Sequence, residues 1–215
     1  MAALAAPPSR PSPCGLNALM GEPITTGMRI GLLGGSFNPA HEGHLHISKQ
    51  ALRRLGLDQV WWLVSPQNPL KPQEDMGEFT ARFESARTMA SGHPQLRVSD
   101  IESQLGLTYT CDTLAALTSL GPQVHFVWLM GADNLIQMPR WKDWQDIFVA
   151  MPVAVMARPG FNFSAPLGTV ATRFARSRVP AENASGLADL VPPAWVFLPI
   201  PLHTASSTAI RQKKR

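Results

Sequence analysis

Residues 28–48 read MRIGLLGGSFNPAHEGHLHIS, and this stretch predicts a strand, a glycine loop and a helix, in that order. The apolar run 30–33 stops at two glycines, as is typical of a buried parallel strand that enters a tight turn. Residues 43–55 have a helical pattern and follow the loop directly. The unpaired N–H groups and partial positive charge at such a helix start favour a bound phosphate.

Two histidines, His41 and His44, stand at this helix start in the spacing H-x-G-H. Three residues are about one helical turn, so both imidazoles are expected to face the same anion. Gly34 and Gly35 let the backbone pass close to a ligand. Alone, a glycine pair is only a turn and a surface histidine usually has no function, so the prediction depends on the combination. His46 is expected to point away from the pair.

The string G-G-S-F-N-P-x-H-x-G-H resembles the G-x-F-x-P-x-H-x-G-H signature of the nucleotidyltransferase superfamily. Those enzymes attack the α-phosphate of a nucleoside triphosphate and release pyrophosphate. The resemblance implies that His41 and His44 are catalytic and that Asn38 contacts the second substrate. The residues that it implies bind ATP are Gly34, Gly35, Ser36, Phe37, His41, Gly43 and His44.

A second element lies near the carboxyl end, where 206–211 reads SSTAIR. Hydroxyl residues at a helix start cap the backbone, which alone would explain the serines. The element also resembles the I-S-S-T-x-I-R motif of the same superfamily, which grips the β- and γ-phosphates. Ala205 departs from that motif, because a larger apolar residue usually stands there. The residues implied to bind ATP here are Ser206, Ser207, Thr208 and Arg211, of which Arg211 is also expected to be catalytic.

Lys71 lies in a loop, NPLKP, that follows the second predicted strand. A loop lysine is usually only solvated. The flanking prolines stiffen this backbone, however, so we expect Lys71 to hold a fixed place near phosphate, with a role in catalysis and in substrate binding.

Three further segments are similar to elements of the bacterial nicotinate mononucleotide adenylyltransferases: LTYTCDTL at 107–114, GADNL at 131–135 and WKDW at 141–144. The resemblance implies that Tyr109, Thr110 and Trp141 bind the nicotinate mononucleotide substrate. Trp141 is expected to stack on the pyridine ring, and Thr110 with neighbouring amides to hold the nicotinate carboxylate. The resemblance also implies that Asp133 contacts ribose hydroxyls of ATP. The alternatives are core packing for Trp141 and Trp144, the better interpretation for Trp144, and an N-cap for Asp133.

Strands alternate with helices along the chain, and the strands are apolar on both faces. This predicts an α/β fold, a Rossmann-like doubly wound parallel sheet in a single nucleotidyltransferase domain over 28–215. Residues 1–27, rich in Ala, Pro and Ser, are expected to be a disordered leader, and translation starting at Met28 is one hypothesis. Predicted strands are 30–33, 59–64, 96–101, 124–130, 152–157 and 195–198. Predicted helices are 43–55, 80–91, 113–120 after an Asp112 N-cap, a short one through Leu135, 141–149 and one from Ser206 or Ser207, with 161–194 unassigned.

The charge of the chain argues against a nucleic-acid partner. The formal net charge is +4, with 19 basic and 15 acidic residues, but four of the positive charges lie in the last five residues, RQKKR. No window approaches the roughly 20 apolar residues that a membrane helix requires, so no membrane partner is expected. Cys14 and Cys111 form no metal or redox motif, which fits a reducing cytoplasm.

The implied reaction joins ATP and nicotinate mononucleotide into the dinucleotide and releases pyrophosphate, a step of NAD biosynthesis. Mg²⁺ is expected to bind mainly through the ATP phosphates, with no dedicated protein metal site. The alternatives are an adenylyltransferase for nicotinamide mononucleotide or phosphopantetheine, or a nucleotide-binding sensor without catalysis. The oligomeric state, including a homo-oligomer, is left open by the sequence.

Overall fold

In the computed structural model, residues 15–21, 23–67 and 76–213 are described. Their strands form one parallel sheet with helices on both faces, the Rossmann-like α/β arrangement that the sequence predicts. The strands are β1 Arg29–Gly35, β2 Gln59–Val64, β3 Leu96–Ser99, β4 His125–Gly131, β5 Val153–Met156, β6 Arg178–Val179 and β7 Trp195–Leu198. The α-helices are α1 Gly15–Met20, α2 Glu42–Leu55, α3 Phe79–Ala90, α4 Ile101–Gln104, α5 Thr110–Leu120, α6 Ala132–Gln137, α7 Trp144–Ala150, α8 Thr169–Arg173 and α9 Ser207–Lys213.

The strand order β3-β2-β1-β4-β5-β7-β6 places a topological switch point between β1 and β4. From β1 the chain adds strands in one direction, and from β4 it adds them in the other. Leu32 at the centre of β1 pairs with Trp61 of β2 and with Trp128 of β4. In such sheets ligands bind outside the carboxyl ends of the strands at the switch point. The motif after β1 and Asp133 after β4 both lie there.

The sheet separates two apolar cores, as strands buried on both faces require. Successive residues of β2 alternate between them, because Trp61 packs into one core and Trp62 into the other. Helices α2 and α3 cover the Trp62 face, and α5 and α7 cover the Trp61 face. Across the described part of the chain, no helix is long and apolar enough to cross a membrane.

Several predictions of local structure are wrong. Residues 15–20, placed in the disordered leader, form α1, and Leu16 is buried there. Helix α5 begins at Thr110 rather than residue 113, so its N-cap is Tyr109, while Asp112 lies in the first turn. The Thr113 hydroxyl contacts both the Tyr109 carbonyl and Glu102, and these contacts hold the additional turn. Helix propensity depends on the local sequence alone and therefore does not predict these contacts.

The tryptophan-rich segment also begins later than predicted. Helix α7 starts at Trp144, and Trp141 lies before it, closing a 3₁₀ turn with an N–H bond to the Met138 carbonyl. The unassigned region 161–194 contains short 3₁₀ segments, α8 and the two-residue strand β6. Strand β6, which we did not predict, adds one strand at the edge of the sheet.

Candidate active site

His41 and His44 lie side by side at the start of α2, with ring centroids 3.9 Å apart. His41 is the N-cap of the helix, and its Nδ1 accepts a hydrogen bond from the Gly43 N–H at 3.1 Å. His44 Nδ1 accepts in turn from the His41 N–H at 3.2 Å. A backbone N–H can only donate, so each Nδ1 is unprotonated and each neutral ring bears its proton on Nε2. The backbone thus fixes two Nε2–H donors.

Both imidazoles are held in the neutral form. Burial, with contributions from the charges of Arg158 and His203, lowers the pKa of His41 from 6.5 to about 4. Burial is also the main reason that the pKa of His44 lies well below its ordinary value, followed by the electrostatic effects of His41 and Arg158. Neutral rings with Nε2–H donors suit the stabilisation of charge that develops on a phosphate.

The glycine loop is shaped by packing as well as by ligand access. A Cβ on Gly34 would stand 2.3 Å from the Trp128 ring, so this glycine is required by the core. Gly35 has ordinary clearance, with the Phe37 ring 3.5 Å from a built Cβ. Phe37 has a φ of 44° and is buried between the rings of His44 and Trp62, at centroid distances of 4.6 and 5.2 Å.

Helix α9 docks directly on this loop. Arg211 donates to the Asn38 carbonyl at 2.7 Å, and the Ser207 hydroxyl donates to the Pro39 carbonyl at 3.1 Å. Upstream of the helix, the Ala205 carbonyl would be 2.9 Å from a Cβ on Gly43, which explains why glycine is required at position 43. The two motifs from distant parts of the sequence therefore meet, with Ser206 and Thr208 on the same segment.

Asp133 follows β4 in the first turn of α6. Its Oδ1 is buried, has no hydrogen-bond partner within the described residues, and lies 3.6 Å from Arg158 Nε. Arg158 itself follows β5, and its charge acts on both histidines. We did not predict a role for Arg158 from the sequence, although its place after a strand at the same edge of the sheet was a usable signal.

The predicted pyridine-site residues form a second group. Tyr109 and Thr110 stand at the start of α5, and Lys142 joins them to the loop of Trp141. Lys142 Nζ lies 4.6 Å from the centre of the Tyr109 ring and 3.2 Å from Asp112 Oδ2. Trp141 is partly buried against the core. The expected positions of Lys71 and of its loop fall outside the described residues.

His46 does not join the pair, as predicted. Its Nε2 hydrogen-bonds with the Pro201 carbonyl at 2.6 Å, and its ring lies 5.5 Å from that of His203. His46 therefore contacts the segment that leads to α9.

Comparison with known proteins places the chain in a family. A family model described as cytidylyltransferase-like matches residues 32–213. A Parvibaculum lavamentivorans protein named "Probable nicotinate-nucleotide adenylyltransferase" is 55% identical over 192 residues, which cover 89% of this chain and 95% of that protein. A Ruegeria protein of the same name is 50% identical over 86% of this chain and 97% of its own length.

Solved structures of similar fold were also found. The nicotinic acid mononucleotide adenylyltransferase of Plasmodium falciparum, complexed with NaAD, superposes with a TM-score of 0.67 at 17% identity, covering 86% of this chain and 83% of its own. The same enzyme complexed with APC gives a TM-score of 0.65 at 16% identity, over the same shares of the two chains. The chain therefore belongs to the cytidylyltransferase-like family and, within it, to the nicotinate-nucleotide adenylyltransferases.

Proposed function

We propose that this chain transfers the adenylyl group of ATP to nicotinate mononucleotide and releases pyrophosphate, as the names of its relatives indicate. The observation on which the proposal depends is the meeting of the His41–His44 pair with Arg211 around the Asn38–Pro39 backbone. Two neutral donors and one permanent cation on one loop suit a bound triphosphate.

The reaction requires little acid–base chemistry from the protein. An oxygen of the mononucleotide phosphate, already anionic, attacks the α-phosphorus of ATP, and the bond from that phosphorus to the bridging oxygen of pyrophosphate breaks. The Nε2–H of His44 donates to the α-phosphate, where charge builds up, and His41 orients the phosphates. Arg211 and Lys71 balance charge on the β and γ side as pyrophosphate leaves. Positioning and electrostatics thus provide the rate enhancement.

The remaining predicted residues divide between the two substrates. We expect the backbone amides from Gly34 to Phe37 to approach the triphosphate and the segment from Ser206 to Thr208 to bind it as well. Asp133, near Arg158, serves the ATP ribose. For the mononucleotide, Trp141 stacks on the pyridine ring and the first turn of α5 at Thr110 binds its carboxylate.

We also propose Mg²⁺ as the cofactor, bound by phosphate oxygens and water. Within the described residues, no group of three or more His, Cys, Asp or Glu could hold a metal ion. Triphosphate oxygens are ordinary Mg²⁺ ligands, so the ion fits as part of the substrate. When bound, it neutralises phosphate charge. We further place the protein in a reducing cytoplasm, where a buried free thiol such as Cys111 is stable.

A competition assay tests the proposed function. The full chain is given ATP and Mg²⁺ with equal concentrations of the acid and amide pyridine mononucleotides, and each dinucleotide is quantified. We expect the acid dinucleotide to predominate, with stoichiometric pyrophosphate. Predominance of the amide product would contradict the proposed substrate, and binding of ATP without any product would indicate a nucleotide sensor.

A further inference from the structure

Glu102, in the short helix α4, is a carboxyl group inside the protein. Only 5% of the residue is exposed, and its Oε2 has no hydrogen-bond partner within the described residues. Burial raises its pKa to about 7, against the hydrogen bonds from Ser65 and Thr113 that favour the charged form. Burying a carboxyl group costs free energy of folding. We therefore looked for a structural role in the groups that this carboxyl contacts.

On one side, Glu102 holds the start of α5. Its Oε1 accepts from the Thr113 hydroxyl at 3.2 Å, and that hydroxyl lies equally close to the Tyr109 carbonyl. Tyr109 is the N-cap of α5 and has no side-chain cap bond of its own. The first turn of α5, which contains Tyr109 and Thr110, is therefore held in place by the contacts of Thr113 with Glu102 and with the Tyr109 carbonyl.

On the other side, the Glu102 carboxyl lies near the side chain of Ser65 at the carboxyl end of β2, whose influence lowers the pKa of Glu102. The Ser65 hydroxyl itself donates to the Gln67 carbonyl at 2.6 Å. The Ser65 carbonyl accepts from Arg82 at 2.8 Å, and the same guanidinium nitrogen donates to the Ser36 carbonyl of the glycine loop at 2.6 Å. Arg82 thus joins the glycine loop to Ser65, and the Glu102 carboxyl lies between Ser65 and the first turn of α5.

We infer that Glu102 is a positioning residue, which holds the mononucleotide-binding turn of α5 at a set distance from the glycine loop. The inference rests on the proposed function, because that proposal places the pyridine carboxylate at this turn. Two substrates that react in line need a fixed separation, and small displacements are costly in rate. Loss of the Glu102 contact loosens α5 while the His41–His44 loop, secured separately by Arg82 and α9, remains in place.

The test compares four variants by KM for each substrate, kcat and Tm. Glu102→Ala and Thr113→Val should each raise the KM for nicotinate mononucleotide about tenfold, the cost of one hydrogen bond to a buried carboxyl, and leave the KM for ATP unchanged. Glu102→Gln, which keeps an acceptor and a donor, should restore the wild-type KM. Thr118→Val is the control, because the Thr118 hydroxyl makes the same type of bond, to the Leu114 carbonyl at 2.9 Å, on the same helix.

Equal increases in both KM values, or a lower Tm with unchanged KM values, would mean a purely structural role and overturn the inference. Failure of Glu102→Gln to restore the KM would overturn it as well. If Glu102→Ala does not fold, Thr113→Val against Thr118→Val decides. A wild-type chain that forms no dinucleotide overturns the proposed function, and this inference with it, whereas an active wild type with unaffected variants overturns the inference alone.

Discussion

At the scale of single residues, backbone hydrogen bonds and burial set the protonation state of His41 and His44. Each Nδ1 is engaged by a backbone N–H, and burial disfavours the charged ring. A protonated ring would be repelled by the charge of Arg158, whereas a neutral ring adds a directed donor. Under the proposed function, we therefore expect His41 and His44 to act as fixed hydrogen-bond donors rather than as acids or bases.

Substitution of His44 tests this role. His44→Ala removes a preorganised donor to the α-phosphate, and we expect kcat to fall by about 10²-fold or more while the fold is retained. Steady-state kinetics with circular dichroism measures both. His93→Ala, a histidine beside β3 at the far edge of the sheet, serves as the control and should retain full activity. Near-normal turnover in His44→Ala would remove His44 from the mechanism.

The lowered pKa of His41 predicts a dependence of stability on pH. Between pH 6.5 and about 4 the unfolded chain binds a proton at His41 that the folded chain does not. Stability is therefore lost as pH falls through this window, by about 2 kcal/mol once water access to the ring is allowed for. Urea unfolding at a series of pH values measures the slope.

His41→Asn separates titration from capping. Asparagine is a good N-cap, so helix α2 should remain capped, but it does not titrate. We expect the free energy of unfolding to vary less with pH in this variant, with a residual slope from His44. An unchanged slope would contradict the assignment of the titration to His41.

At the scale of elements, the loops around the site are joined by one buried guanidinium. Arg82 of α3 is 3% exposed and donates to carbonyls of Ser36, Ser65, Pro66 and Gly77, at 2.6 to 2.9 Å. These carbonyls belong to the loops that follow β1 and β2 and to the segment before α3. A single side chain thus fixes the glycine loop relative to its neighbours.

Arg82→Met should be severely destabilising, by about 3 kcal/mol, because it leaves several buried carbonyls without donors. The KM for ATP should also rise as the glycine loop loosens. Arg87→Met is the matched control on the same helix. Among the described residues, the Arg87 side chain forms an exposed ion pair with Glu84 at 3.2 Å, worth under about 1 kcal/mol. Chemical unfolding measures the free energy of unfolding of both variants. Equal losses would show that Arg82 does not stabilise the loops more than an exposed arginine does.

The observed strands and helices show which parts of the fold could be predicted from the sequence. Apolar runs bounded by turns gave β2 and β7 with their observed bounds, and a hydrophobic period gave α2 and α3 within one residue. The additional turn of α5, the burial of Arg82 and the place of Glu102 depend on contacts between segments far apart in the chain, so no local pattern encodes them. We predicted that the His41–His44 loop and Arg211 lie near each other because two motifs resembled one family, whereas the contact of Arg211 with the Asn38 carbonyl was not predicted.

At the scale of the whole molecule, the fold includes residues that composition alone placed outside it. Helix α1 lies against α4 and α5, and Leu16 is 1% exposed. Its Cδ2 lies so near Gly121 that a Cβ there would approach within 2.6 Å. Low complexity in a segment therefore does not prevent one apolar side chain from completing a core.

Leu16→Ala should lower the free energy of unfolding by about 2 to 4 kcal/mol, through lost burial and the cavity that remains. For a chain of this size each kcal/mol shifts Tm by about 2–4 °C, which calorimetry resolves. Leu167→Ala is the control, because Leu167 is 81% exposed. Equal Tm values for the two variants would mean that α1 does not belong to the folded unit. The kcat of folded Leu16→Ala should be unchanged.

The docking of α9 on the Asn38–Pro39 backbone has a consequence for biosynthesis. A ribosome produces the histidine loop early and the arginine only after β7 has been made. A nascent or truncated polypeptide can build most of the sheet and still lack Arg211. Under the proposed function such a copy has no cation here for the departing pyrophosphate, so we expect ATP consumption to begin only after α9 has docked.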